Sequence, residues 1–127
     1  MTNQEAFDKM MSHLRSLQGA SMDCDGDCVY NGTKCAIGVL MTAGEQARYG
    51  KYAGSVRGLV VQMRTDGHTS MLHSLDKDLL SAMQQLHDNL DNWSEADGFD
   101  ALGEDSARGI AKCAGLVYTA PKNRSKT

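Results

Sequence analysis

Residues 28–38 read Cys-Val-Tyr-Asn-Gly-Thr-Lys-Cys-Ala-Ile-Gly, and two structural periods meet within them. Short β-prone runs flank the Asn-Gly pair at residues 31–32, which most readily supplies the two positive φ angles of a type I′ turn. From Ala36 onward the apolar residues follow one another without alternating polar partners, which indicates a short buried helix. The stretch therefore predicts a β-hairpin at residues 28–35 that leads into a helix, with Cys35 in its first turn.

Capping residues mark the start of two further helices. Thr2 and Glu5 match a capping box ahead of an amphipathic run, so a helix is predicted at the N-terminus. Ser55 is the predicted N-cap of another helix, which Asp66 and Gly67 end.

The longest helix is predicted at residues 71–90, where apolar residues recur every three or four positions. They form one stripe that we expect to be the main seam of the core: Leu72, Leu75, Leu79, Met83, Leu86 and Leu90. A loop is expected at residues 93–103. The last helix is predicted to end before Pro121 and to pack through four residues at helical spacing: Ile110, Cys113, Ala114 and Val117.

The length of 127 residues, with 41% hydrophobic and 23% charged, predicts one globular domain. The order of elements is helix, hairpin, short helix and three further helices. This order predicts the mainly α class (small α+β), a compact helical domain with one short β-hairpin. The domain is predicted to span residues 1–120, followed by a polar C-terminal tail at residues 121–127.

Charge and hydropathy argue against two classes of partner. The formal net charge of −3 is too small to indicate a nucleic-acid groove. No stretch approaches the roughly 18 to 20 apolar residues of a membrane span, and the N-terminus lacks the features of a signal peptide. We therefore expect a cytosolic protein whose four cysteines are reduced.

Three cysteines offer a metal site as an alternative. Cys24, Cys28 and Cys35 could hold a zinc ion, with Cys113 or a histidine as the fourth ligand. The spacing argues against this, because zinc knuckles usually have two residues between paired cysteines. Reduced thiols and no cofactor are therefore predicted, and zinc stays an alternative.

Cys35 is also the best candidate nucleophile, because the N-terminus of a helix lowers the pKa of a thiol. His87 could serve as its base. Adjacent residues of a helix diverge by about 100°, so Asp88 is expected to be poorly placed to orient His87. A cysteine-dependent hydrolase using Cys35 and His87 thus stays an alternative. The other histidines are assigned no role: His13, His68 and His73.

Three segments together carry a resemblance. They are Lys-Cys-Ala-Ile-Gly at residues 34–38, Gln-Glu-Ala-Phe-Asp at residues 4–8, and a leucine-containing run at residues 79–88 that ends in His-Asp. In these segments the chain resembles small tailed-bacteriophage proteins of uncharacterised function. The resemblance covers residues 1–91 with gaps. It breaks at residues 41–44, where Met-Thr-Ala-Gly replaces the expected Ile-Pro-Asp-Glu turn.

The resemblance implies a phage origin and action in the host bacterial cytoplasm, and it brings no catalytic residues. By analogy with other small phage proteins, we expect a non-enzymatic accessory protein that binds and inhibits or redirects a host or defence protein. Most of the eight methionines fall on or beside predicted apolar faces, where they would be ordinary core residues or, alternatively, would suit an adaptable contact surface. Tyr49, Tyr52 and Arg57 are the predicted anchors, since aromatic and arginine side chains dominate binding energies. The sequence indicates no oligomeric state.

Overall fold

The computed structural model describes residues 1–16, 36–49, 52, 55–94 and 98–121. Five α-helices and two short strands lie in these ranges: α1 (Asn3–Ser16), α2 (Ala43–Tyr49), α3 (Val56–Thr65), α4 (Lys77–Asp88), β1 (Trp93–Ser94), β2 (Gly98–Phe99) and α5 (Ala101–Ala114). Single turns of 3₁₀ helix occur at Gly38–Leu40, Met71–Ser74 and Leu90–Asn92. The predicted class, a mainly α domain with one small antiparallel ribbon, is confirmed.

The ribbon of the described residues lies where a loop was predicted. Trp93 pairs with Phe99, and Ser94 pairs with Gly98. Phe99 is buried and meets Trp93 edge-on, with their ring centroids 5.2 Å apart. The predicted loop at residues 93–103 is therefore wrong, because aromatic packing closes a ribbon and α5 begins soon after it. The predicted hairpin at residues 28–35 lies outside the described residues.

The predicted caps are confirmed at both helix starts. The Glu5 amide donates to Thr2 Oγ1 over 3.1 Å, and the Thr2 amide donates to Glu5 Oε1 over 2.8 Å. Ser55 Oγ accepts from the Gly58 amide at the start of α3. Gly67, with a φ of 74°, follows the end of that helix, as the sequence indicated.

The helix predicted at residues 71–90 is broken. A 3₁₀ turn at Met71–Ser74 is followed by extended backbone at Leu75 and Asp76, and α4 begins only at Lys77. The break forms because the Asp76 carboxylate accepts the Asp78 amide over 2.8 Å, and an N-cap residue has non-helical backbone. The predicted stripe is nevertheless buried on both sides of the break: Leu72, Leu75, Leu79, Met83 and Leu86. The Leu90 side chain lies outside the described residues.

Helix α4 is the central element, with α1, α3 and α5 packed around it. Phe7 and Leu14 of α1 and Leu59 of α3 are buried in the core. Five methionines are buried as well: Met10, Met11, Met41, Met63 and Met83. Because these thioethers fill the core, the methionines give little support to an adaptable contact surface.

The packed face of α5 differs from the predicted one. Ala107 and Ala111 are buried, whereas Cys113 is exposed and Val117 lies beyond the end of the helix with 68% of its surface exposed. Small alanines let α5 approach its neighbours closely, so the larger residues of the helix do not mark its buried side. Ile110 and Ala114 are half-buried and border an open surface.

A polar cluster holds the segment that follows α5 against α1. Arg15 donates to both carboxylate oxygens of the buried Glu104 over 2.9 and 2.8 Å. The Tyr118 hydroxyl donates to the same carboxylate, and Arg15 also donates to the Thr119 carbonyl. These bonds join α1, α5 and the segment after α5. Of the predicted tail at residues 121–127, only Pro121 is described.

Candidate functional site

An open apolar groove lies between α4 and α5, with a volume of about 640 Å³. Two carboxylates, Asp76 and Asp78, stand at one end of it. Its remaining lining is apolar or small: Leu79, Ala82, Ser106, Gly109, Ile110, Cys113 and Ala114. We call this surface, together with the extension described next, the α4/α5 groove.

The groove continues toward the C-terminal end of α4. A second depression of about 230 Å³ shares Ala82, Ser106 and Ile110 with the first. It adds neutral residues to the lining: Gln85, Leu86, Asn89 and Asn92. From Asp76 to Asn89 the groove follows α4 for about 20 Å, since each helical residue rises 1.5 Å.

Helices α4 and α5 are antiparallel along the groove. The start of α4 at Asp76 and Leu79 lies opposite the end of α5 at Cys113 and Ala114. The positive end of one helix dipole therefore lies beside the negative end of the other, and their fields largely cancel. Among the lining residues, Asp76 and Asp78 carry the charge.

The three predicted binding residues lie in different environments. Tyr49 is buried, and its hydroxyl donates to Asp66 Oδ2 over 2.7 Å. Tyr52 is half-buried, with its hydroxyl over Gly58. Arg57 is exposed and forms an ion pair with Asp78, at the acidic end of the groove. A contact between these three residues and a partner stays a prediction, and Arg57 is the one that borders the groove.

His87 lies in a buried polar network at the end of α4. Its imidazole is fully buried, and Nδ1 is 2.8 Å from Asp88 Oδ1. The expectation that Asp88 is poorly placed to orient His87 is therefore wrong. Nδ1 lies close to the histidine's own backbone, so a short neighbouring carboxylate reaches it despite the divergence of the two Cβ directions. The same Asp88 oxygen accepts from Gln84 Nε2 over 3.0 Å.

The chain that directly follows Cys35 packs against this network. Ala36 and Ile37 are buried, and the Ile37 amide donates to Gln84 Oε1 over 3.4 Å. An imidazole oriented by a carboxylate is the arrangement that a general base uses. The contact between His87 and Asp88 has the geometry of such a pair. The candidate nucleophile, Cys35, lies outside the described residues.

His13 is a half-buried residue that the sequence did not single out. Its Nε2 is buried and has no hydrogen-bond partner among the described residues. Burial lowers the pKa of His13, and the nearby His87 lowers it further. The spacing of the sequence could have indicated this, because His13 follows the apolar Met10 by one helical turn and so shares its face of α1.

His68 and His73 have structural partners. His68 Nε2 is 2.7 Å from Oε2 of the buried Glu45. Burial alone would raise the pKa of Glu45, but the hydrogen bonds from Thr42 and His68 outweigh it, and the pKa is lowered. The imidazole of His73 accepts from the Ser70 amide in a capping box. Both histidines stabilise local structure.

Across the described ranges, no group of three or more histidine, cysteine, aspartate or glutamate side chains is arranged to hold a metal ion. The alternative zinc ligands Cys24, Cys28 and Cys35 lie outside those ranges. Cys113, proposed with them, is an exposed free thiol on α5.

Comparison of the chain with protein-family models, with curated proteins and with solved structures finds no match. Among the helices that the structure describes, none is long and apolar enough to cross a membrane. The phage resemblance therefore remains an expectation from the sequence.

Proposed function

We propose that this protein is a phage accessory protein that binds a host or defence protein in the bacterial cytoplasm and inhibits or redirects it, without catalytic turnover. The observation that carries the proposal is the α4/α5 groove, an apolar surface that the described part of the chain leaves open. Neither of the predicted tyrosines, Tyr49 and Tyr52, belongs to its lining.

One face of α5 supports the proposal. Leu102, Ser106, Gly109 and Cys113 are spaced by four, three and four residues, so they share one side of the helix. Leu102 has 62% of its surface exposed, and Cys113 is exposed. A contiguous apolar surface rimmed by polar residues is typical of a protein-binding site. A partner that covered it would remove this apolar area from water.

Gly109 allows a test that spares the fold. A Cβ atom at this helical position would meet no other atom within 4 Å. Gly109→Gln therefore fills the groove with a neutral side chain, and Gly109→Ala is the matched control because it leaves most of the groove open. The expected result is a stoichiometric complex with a captured host protein that Gly109→Gln abolishes and Gly109→Ala retains.

The effect of the protein on the host should likewise be lost in Gly109→Gln and retained in Gly109→Ala, and Cys35→Ser should retain it. A host complex and an effect that both survive Gly109→Gln would contradict binding through the groove. The proposal also fails if Cys35→Ser and His87→Ala each abolish the effect while the complex persists.

The His87–Asp88 contact favours a second candidate, a cysteine-dependent hydrolase that uses Cys35 and His87. Its test is the rate at which iodoacetamide alkylates Cys35 as a function of pH, read by peptide mapping. A catalytic thiol paired with His87 reacts well below the ordinary thiol pKa of about 8.5. His87→Gln then restores the ordinary profile. An ordinary profile in the unmodified protein excludes the pair.

A further inference from the structure

We infer that the occupant of the α4/α5 groove is an amphipathic helix of the partner protein, with a basic side chain at the Asp76 and Asp78 end. The inference rests on the proposed function, because it names the chemistry of the partner that the groove takes. It follows from the shape and the charge of the groove.

The shape of the groove fits a third helix. The groove is about 20 Å long, which corresponds to about 13 helical residues, and it lies between two antiparallel helices. Ala82, Ser106 and Gly109 are small residues of its lining, so another backbone can approach closely. Ile110 and Ala114, which are half-buried, offer apolar contacts, and the buried Leu79 and Leu86 also belong to the lining. A partner helix would fill it with anchors at positions i, i+3 or i+4, and i+7.

The charge of the groove selects a basic helix. Its lining contains two carboxylates and no basic residue. Lys77 does not line the groove: its ammonium donates to the carbonyls of His73 and Leu75, although it also interacts electrostatically with Asp76. Asp76 forms no ion pair among the described residues.

Asp78 has one basic partner, Arg57. In that pair the Asp78 side chain is 84% exposed and the Arg57 side chain is 58% exposed. Such exposed ion pairs contribute little to stability, so a partner's lysine or arginine can replace Arg57 at little cost.

Two other occupants fit less well. A cavity of about 640 Å³ could take a small molecule, but the groove is open along its length and continues into the second depression. A second copy pairing through the same face would oppose two concave surfaces, which leaves the groove unfilled.

The test uses two designed helical peptides of about 14 residues that share a leucine face. One carries two lysines at one end, and the other carries two glutamates there. Binding to the intact protein is measured by fluorescence anisotropy at low and at raised salt. At low salt the lysine peptide is expected to bind at least about tenfold more tightly than the glutamate peptide, and raised salt should reduce this difference in affinity.

A pair of matched variants tests whether the groove carboxylate Asp78 is responsible for the preference for the lysine peptide. Asp78→Asn removes one carboxylate of the groove and is expected to reduce the lysine preference by several-fold. Asp105→Asn is its control, because Asp105 is also exposed and paired with an arginine, Arg108, but lines a different depression. Cys113 reports occupancy, since the bound lysine peptide should slow its alkylation. Gly109→Gln should abolish both binding and protection.

Equal affinity for both peptides, or no binding of either below millimolar concentration, overturns the inference. A self-association that Gly109→Gln abolishes also overturns it and identifies a second copy as the occupant. The two proposals fail separately. Loss of the host complex in Gly109→Gln without peptide binding leaves the proposed function standing, whereas a host complex that survives Gly109→Gln removes the proposed function even if the peptide binds.

Discussion

The same glycine-to-alanine change at two positions of α5 is expected to shift stability in opposite directions. In a helix interior, alanine is more favourable than glycine by about 1 kcal/mol. Gly109 has open space around the added Cβ, so Gly109→Ala should increase the free energy of unfolding by ~0.5 to 1 kcal/mol.

At Gly103 the added Cβ would lie 2.5 and 2.6 Å from two ring atoms of Phe99 and 3.0 Å from the Asn92 carbonyl oxygen. The Phe99 ring is buried and packed against Trp93, so it cannot move away without disturbing the ribbon. Overpacking of this kind typically costs about 1 to 3 kcal/mol, which exceeds the gain in helix propensity. Gly103→Ala should therefore be net destabilising by ~0.5 to 2 kcal/mol.

Urea unfolding followed by circular dichroism measures both variants, and the single tryptophan, Trp93, provides a second probe beside the clash. We expect the midpoint of Gly103→Ala to fall below that of the unmodified protein and the midpoint of Gly109→Ala to rise above it. A Gly103→Ala protein as stable as Gly109→Ala would refute the close approach of α5 to Phe99.

Three further predictions concern the core, pH and metal. Leu86→Ala and Leu79→Ala should each lower the free energy of unfolding by ~2 to 5 kcal/mol, because both side chains are buried. If both variants had urea midpoints near that of the unmodified protein, the core would lie elsewhere. Burial lowers the pKa of His13 and so favours its neutral form in the folded state. The contribution of His13 to the free energy of unfolding should therefore be fully present above about pH 6.5 and should decline as the pH falls below that value. His13→Leu should flatten this decline when urea unfolding is measured between about pH 5 and about pH 7.5. The denatured protein should titrate as four thiols, and metal analysis should find well under one zinc ion per chain. If instead the protein contained stoichiometric zinc and unfolded when a chelator removed it, the zinc-binding alternative would be favoured.

The local features of the fold were readable from neighbouring residues. Thr2, Glu5 and Ser55 cap helices as predicted because a cap depends only on groups within one helical turn. The leucine stripe was predictable for a similar reason, since its spacing alone places the side chains on one face. The break before α4 was not predicted, because an aspartate such as Asp76 is compatible with the interior of a helix as well as with an N-cap.

The candidate sites combined both kinds of information. The sequence singled out His87 and Arg57, but it placed Asp88 too far from His87 because Cβ directions ignore side-chain torsions. Arg57 was selected as a partner contact, and only the packing of α3 against α4 brought it to Asp78 at the end of the groove.

The amino-acid sequence by itself determined the class of this protein, the caps of α1 and α3 and the seam of its core, because these depend on spacing along the chain. Only the tertiary structure decided which side of α5 is buried, that Gly103 must lie against Phe99, and that α4 and α5 leave a groove between them. A groove is the space between two elements, so it depends on how closely and at what angle they pack. Alanines at 107 and 111 draw α5 inward and leave Ile110 and Cys113 at its open edge.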